Sequence, residues 1–166
     1  MVACVASNHE EFGFDSHRPH HSTRVMKTWI KNWFSNMLPM QPLLYQGMEF
    51  RTVENFYQAM KTKDIDERRK IAPMDPYKAK RYAGSILLRE DWDSIKLDVM
   101  RYALKHKFAP GTEWHKKLME FEEGIVFVER NNWHDNYWGS CVCERCGNQG
   151  QNHLGRILTE VRHGFL

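Results

Sequence analysis

No apolar run in this chain approaches the roughly 18 residues a membrane-spanning helix needs, and its N-terminus lacks the apolar core of a secretory signal. A soluble, cytoplasmic protein is expected. A disulfide framework is also missing: Cys4 stands alone, while Cys141, Cys143 and Cys146 crowd together, which makes reduced thiols the default. Charge of one sign is scarce. Lys and Arg total 24 against 21 Asp and Glu, an excess that suits an anionic ligand but falls short of a nucleic-acid-binding signature. Internal repeats, low-complexity tracts and a phosphate-loop pattern are absent as well, which excludes solenoids and the common nucleotide-binding fingerprints.

Apolar and aromatic residues are ample: 42% hydrophobic and 13% aromatic in 166 residues is enough to build one core. The polar, His-dotted stretch up to about Arg24 shows little apolar periodicity, so residues 1–28 are read as an extension and 29–166 as the domain. His17, His20 and His21 in that extension read as solvated loop residues. Short apolar pieces on either side of Gln46-Gly47 predict two strands. Helical signals follow: Val53 to Thr62, Ile65 to Ile71, a Pro-initiated helix from Asp75 to Gly84, a long one from Asp91 to about Lys107, and one capped by Thr112. Ile125 to Val128 reads as a buried strand, and Asn152 as the cap of a last helix closing near Gly164. The expected fold is α+β, a single, mainly helical domain with a few short strands.

Chemistry concentrates in two places. At about 100° per residue, Glu54, Gln58 and Lys61 fall within about 60° of each other on the first of these helices. Thr52 caps that helix, and the positive end of the helix dipole favours a carboxylate at Glu54. A solvated polar face is the plain alternative. The second place is Asn131-Asn132-Trp133-His134-Asp135-Asn136-Tyr137-Trp138-Gly139, where aromatic faces can stack on a base and Asp135 can accept or orient a proton. The alternative there is that both Trp roof the core while Asp135 and Asn136 satisfy a turn. Between this loop and the last helix, Cys143 and Cys146 have the two-residue gap of structural zinc sites. With no second such pair, a structural zinc at Cys141, Cys143 and Cys146 completed by a His is kept as the lesser reading beside a loop of reduced thiols.

Taken in order, Phe34-Ser35-Asn36, Thr52 to Lys61, Ala79-Lys80 with Gly84, Arg89-Glu90-Asp91-Trp92, Lys107-Phe108, Asp135 with Trp138-Gly139, and Gly150 to Arg156 resemble the NADAR family, also described as YbiA-like N-glycosidases. Each block is short, but the collinear agreement runs from about Phe34 to Arg162. The resemblance implies cleavage of the C–N bond between a ribose and a base-like group, without a redox cofactor or a required metal. It implies two substrate types, phosphorylated ribosylamino-pyrimidine intermediates of riboflavin synthesis and ADP-ribose on a nucleobase; the slight basic excess and the aromatic loop favour the second. It also implies an acidic residue at Glu54, a Trp at Trp92, an Asp at Asp135, and Asn and Gly at Asn152 and Gly155, to which the residues' own chemistry adds others. Glu54 and Asp135 are the catalytic candidates, and Ser35, Asn36, Gln58, Lys61, Lys80, Trp92, Trp138, Gly139, Asn152 and Gly155 the substrate-binding ones. Lys61 or Lys80 would neutralise phosphate, or attack an opened sugar aldehyde as an amine. The Cys-rich stretch departs from the family's pattern. Two other classes are kept open: a non-catalytic ADP-ribose or nucleotide-binding module, and a zinc-knuckle nucleic-acid binder. No membrane contact and no obligate protein partner are expected.

Overall fold

The computed structural model describes residues 27–29 and 34–164, the first three by their backbone. The His17, His20 and His21 reading, and most of the expected extension, lie outside the described residues. Among the described residues, six helices and six short strands alternate irregularly, an α+β arrangement. Lys27–Trp29 forms β1, which runs parallel to β4 (Val126–Val128) in the register Thr28 to Phe127. β2 (Pro39–Tyr45) and β3 (Met48–Thr52) make the expected hairpin. Gln46 and Gly47 both have positive φ at its tip, 50° and 74°, which matches the right-handed twist of the flanking strands. β5 (Arg130–Asn131) and β6 (Ser140–Cys141) pair in parallel across the Asn- and Trp-rich loop.

The helices follow their local signals closely. In α1 (Val53–Ala59) the Thr52 hydroxyl accepts from the Asn55 N–H at 3.0 Å. Asn55 is buried and donates to the carbonyls of Ile71 and Met74, tying α1 to the end of α2 (Ile65–Ile71) and the turn before α3 (Pro76–Tyr82). α4 (Trp92–Lys107) packs against α1 and α6 (His153–His163), with α5 (Glu113–Met119) beside α6. Phe34, Phe50, Phe56, Phe108, Phe127 and Leu104 are fully or almost fully buried at the centre. Among the described residues no helix is long and apolar enough to cross a membrane.

Lys107 is fully buried in this core at the end of α4. Its ammonium donates to the Ser35 carbonyl at 2.7 Å and sits 4.5 Å from the centre of the Trp114 ring. Desolvation pushes its pKa down to about 7. Below pH 7 the charge is carried at full cost in the folded state; between 7 and the ordinary lysine value the unfolded chain binds more protons, so stability rises with pH. Lys107→Met is expected to flatten that rise by up to about 1.4 kcal/mol per pH unit, read from urea unfolding at pH values from about 7 to 9. An unchanged slope would mean that the amine is solvated.

Candidate active site

α1 is only two turns long, and its polar stripe is not solvated. Glu54 and Gln58 are 7% and 3% exposed, and Gln58 Nε2 donates to Glu54 Oε1 at 2.7 Å. The Glu54 N–H, an unpaired donor of the first helical turn, is taken by the Asn36 carbonyl at 3.0 Å. This stripe forms one wall of a cavity of about 660 Å³, within the range of small-ligand sites. The opposite wall comes from the segment that leaves β4, passes through β5 and turns at Asp135. Of the residues named from the sequence, Glu54, Asp135, Ser35, Asn36, Gln58, Lys61, Lys80 and Trp138 all line this one cavity.

Asp135 satisfies its turn and faces the cavity at once. Its Oδ1 accepts from the backbone N–H groups of Tyr137 and Trp138 at 3.2 and 2.9 Å. Buried Asn131 fixes the loop from inside, donating to the Asp135 carbonyl and accepting from the N–H groups of Trp133 and Asp135. Trp138 meets the Tyr57 ring edge-on at 5.5 Å.

The other four named residues stand behind this wall. Trp92 is buried and packs edge-on against Tyr57 at 5.0 Å, so it supports the cavity and does not line it. Asn152 has left-handed backbone angles and makes no side-chain cap for α6. Its amide instead splices onto the end of β4: Nδ2 donates to the Phe127 carbonyl at 2.8 Å, and Oδ1 accepts from the Glu129 N–H at 3.0 Å. Strand β4 ends where these groups would otherwise lack partners, and that demand outweighs capping. Gly139 and Gly155 sit where no side chain fits. A Cβ on Gly139 would crowd the Glu129 carbonyl and the Asn131 amide, and one on Gly155 the Phe127 carbonyl and Asn152.

Gly139 and Asn152, the latter backed by Gly155, converge on a residue that sequence reasoning did not single out. Glu129 lines the cavity, and burial together with the nearby Asp135 charge pushes its pKa up to about 7, against a small opposing pull from Lys80. Its backbone is clamped by Asn152 on one side and by Ser140, whose N–H donates to its carbonyl at 2.7 Å, on the other. A strand-terminal Glu before a polar loop carries no distinctive spacing, so only tertiary placement reveals it. Tyr57 also faces the cavity. Burial raises the Tyr57 phenol above its ordinary value and keeps it a donor.

Cations and orphan acceptors complete the site. Lys61, Lys80 and Arg130 line the cavity with the three carboxylates. Burial lowers the Lys61 pKa, an effect that the Glu54 charge opposes and Lys80 reinforces. Asn36 Oδ1 and Gln58 Oε1 are buried and lack a hydrogen-bond partner among the described residues. Buried acceptors cost free energy unless something donates to them, so both are suited to the hydroxyl or N–H groups of a ligand. Tyr77 and Trp133 are 63% and 62% exposed at the rim, where flat faces meet solvent. A second depression of about 520 Å³ near α2 and Arg89 holds charges already paired with each other, Glu67 with Lys70 and Tyr82, and Arg89 with Asp91.

Comparison with known proteins shows which family the chain resembles. The family model described as the NADAR domain matches residues 13–166. The N-glycosidase YbiA of Escherichia coli is 33% identical over 132 residues, covering 78% of each chain. The N-glycosidase Npun_R5314 of Nostoc punctiforme is 32% identical over 135 residues, covering 78% of this chain and 82% of that one. The chloroplastic riboflavin biosynthesis protein PYRR of Zea mays is 35% identical over 161 residues, but the match spans only 24% of the maize protein. The solved structure of E. coli YbiA superposes with a TM-score of 0.70 at 29% identity, covering 85% of each chain.

Proposed function

We propose, from the premise that this chain belongs to the NADAR domain family and is an N-glycosidase, that it hydrolyses the bond between ADP-ribose and a nucleobase, guanine in nucleic acid being the preferred acceptor. The observation that carries this reading is the meeting of Glu54, Glu129 and Asp135 with Lys61 and Lys80 in one cavity. Departure of the base builds positive charge on the ribose ring, and the Glu54 carboxylate stabilises it at the anomeric carbon. Glu129, protonated below about pH 7, donates a proton to the leaving nitrogen. Asp135 orients the water whose oxygen bonds to that carbon. The water's remaining proton passes to a carboxylate, and the products are a free sugar hydroxyl and a free amine. Dividing these roles among carboxylates follows ordinary glycoside hydrolysis, with nitrogen in place of oxygen as the leaving atom.

Substrate binding follows from the remaining groups. Lys61, Lys80 and Arg130 neutralise phosphate, Asn36 and Gln58 accept from ribose hydroxyls, and Trp133 and Tyr77 flank the base at the rim. The alternative substrate, a ribosylamino-pyrimidine phosphate of riboflavin synthesis, offers the same phosphorylated ribose, and it draws support from the name of the maize relative. The exposed aromatic rim favours the larger nucleotide, which extends beyond the cavity. Incubation with ADP-ribosylated guanine in DNA and, separately, with the pyrimidine phosphate, followed by mass analysis, decides between them. Free ADP-ribose from the first supports the preferred reading; a product only from the second replaces it. Inertness toward both leaves a binding module.

The assignment of Glu129 has its own pH signature. A general acid acts only while protonated, so kcat is expected to fall tenfold per unit as pH rises beyond about 7. Glu129→Gln should lower kcat at about pH 6 by about 10²-fold and remove that limb. A variant that keeps the wild-type profile would take Glu129 out of proton transfer.

A further inference from the structure

Next to Asp135 in the chain, but outside the lining of the cavity, three thiols and an imidazole converge. Cys141 Sγ and Cys143 Sγ are 3.4 Å apart, and His134 Nδ1 lies 3.4 Å from Cys143 Sγ, 3.3 Å from Cys146 Sγ and 4.0 Å from Cys141 Sγ. All four donor atoms lie within 4.8 Å of one another. A tetrahedral zinc with bonds of about 2.3 Å to sulfur and about 2.0 Å to nitrogen sets ligand edges of about 3.8 Å between sulfurs and about 3.5 Å from sulfur to nitrogen. The observed spacings cluster around those edges. Without a common cation, four such groups have little reason to crowd together, since thiols are weak hydrogen-bond partners.

The backbone is shaped to bring them there. The N–H groups of Cys146 and Gly147 both donate to the Cys143 carbonyl, at 3.1 and 3.0 Å, closing a turn that returns Cys146 beside Cys143. Gly147 takes the left-handed conformation this turn needs, with φ of 60°. His134 also has positive φ, 66°, an uncommon state for His that aims its ring at the sulfurs. Asn136 Nδ2 donates to Cys146 Sγ at 3.3 Å, the outer-shell contact that a metal-bound thiolate attracts.

We propose that His134, Cys141, Cys143 and Cys146 bind one structural zinc ion, which clamps the loop that carries Asp135 and Trp138. Four protein ligands close the coordination sphere, leaving no position for a reacting water, so the ion is architectural. Thiolate-rich donor sets select soft or borderline cations over magnesium or calcium. Spacing alone obscured the site because its fourth ligand lies before β6, on the far side of Trp138, and does not form a second Cys or His pair.

Protein purified under reducing, chelator-free conditions and supplied with zinc is expected to retain one ion per chain by elemental analysis. Cobalt put in its place should show the visible bands of a tetrahedral thiolate site. Cys146→Ser should lose the metal at least tenfold more readily to a chelator, whereas Cys143→His, which keeps a ligand, should hold it better than Cys143→Ser. Metal removal should speed amide exchange in residues 131–142 at least tenfold while leaving α4 protected, and that pattern separates local loosening from unfolding. Less than a tenth of an ion per chain after zinc supply, or undiminished zinc in Cys143→Ser and Cys146→Ser, would overturn the proposal.

Discussion

Glu54→Gln is expected to lower kcat by about 10²–10⁴-fold while leaving the affinity for ADP-ribose within a few-fold of wild type. The substitution is nearly isosteric, and an amide oxygen at the position of Oε1 still accepts from Gln58 Nε2, so the 2.7 Å contact along α1 survives. What disappears is the charge. Glu54 is 7% exposed in the first turn of its helix, where water screens the charge poorly and the helix dipole favours the carboxylate. An anion fixed there stabilises a ribosyl cation that exists only as the bond to nitrogen breaks, so its removal falls on the chemical step and not on ground-state binding. The same charge acts on its neighbours, adding to the burial that raises the Tyr57 phenol and opposing the burial that lowers Lys61. Single-turnover rates and calorimetric binding of ADP-ribose, measured on the same preparation, separate the two effects. A rate within fivefold of wild type would remove Glu54 from catalysis, and joint loss of rate and binding would make it a binding residue.

Much of the architecture was legible because it is written locally. Thr52, Asp64, Asp75 and Thr112 each cap a helix by accepting from backbone N–H groups, and Gln46-Gly47 marks its hairpin. β1, β5 and β6 were not legible. These strands are two or three residues long, and among the described residues two of the three strand pairings are parallel, so what defines them is a partner strand and not a pattern of their own. The site divides along the same line. The polar stripe of α1 follows from helical spacing, yet whether it faces solvent or a cavity depends on β5 and the Asp135 loop, about seventy-five residues later. Glu129 needed the fold outright. Its raised pKa comes from burial and from Asp135, neither of which a strand-terminal Glu announces.

Gly155→Ala is expected to be severely damaging for a single methyl, costing about 3 kcal/mol and on the order of 10 °C in Tm. In an ordinary exposed helix the same change would add stability, because alanine is the better helix former. Here α6 lies against β4 with nothing between them at this point. An added Cβ would stand 2.5 and 2.7 Å from the two side-chain polar atoms of Asn152, and closer still to the Phe127 carbonyl. The last of these is backbone in a paired strand and cannot swing away, so helix and strand must part. Their separation breaks the Asn152 splice, whose two bonds hold Phe127 and the Glu129 N–H. A loss in stability should therefore come with a change at the cavity, as Glu129 loses the clamp that sets its burial. Asn152→Ala isolates the second half of this chain: without an added methyl it should still lose about 2 kcal/mol and shift the alkaline limb of kcat toward the ordinary carboxylate range. Thermal unfolding and pH–rate profiles of both variants provide the check. A Tm within about 2 °C of wild type for Gly155→Ala would mean that α6 can move off β4 at little cost, and a stable Asn152→Ala with an unshifted limb would mean that Glu129 is held by other groups.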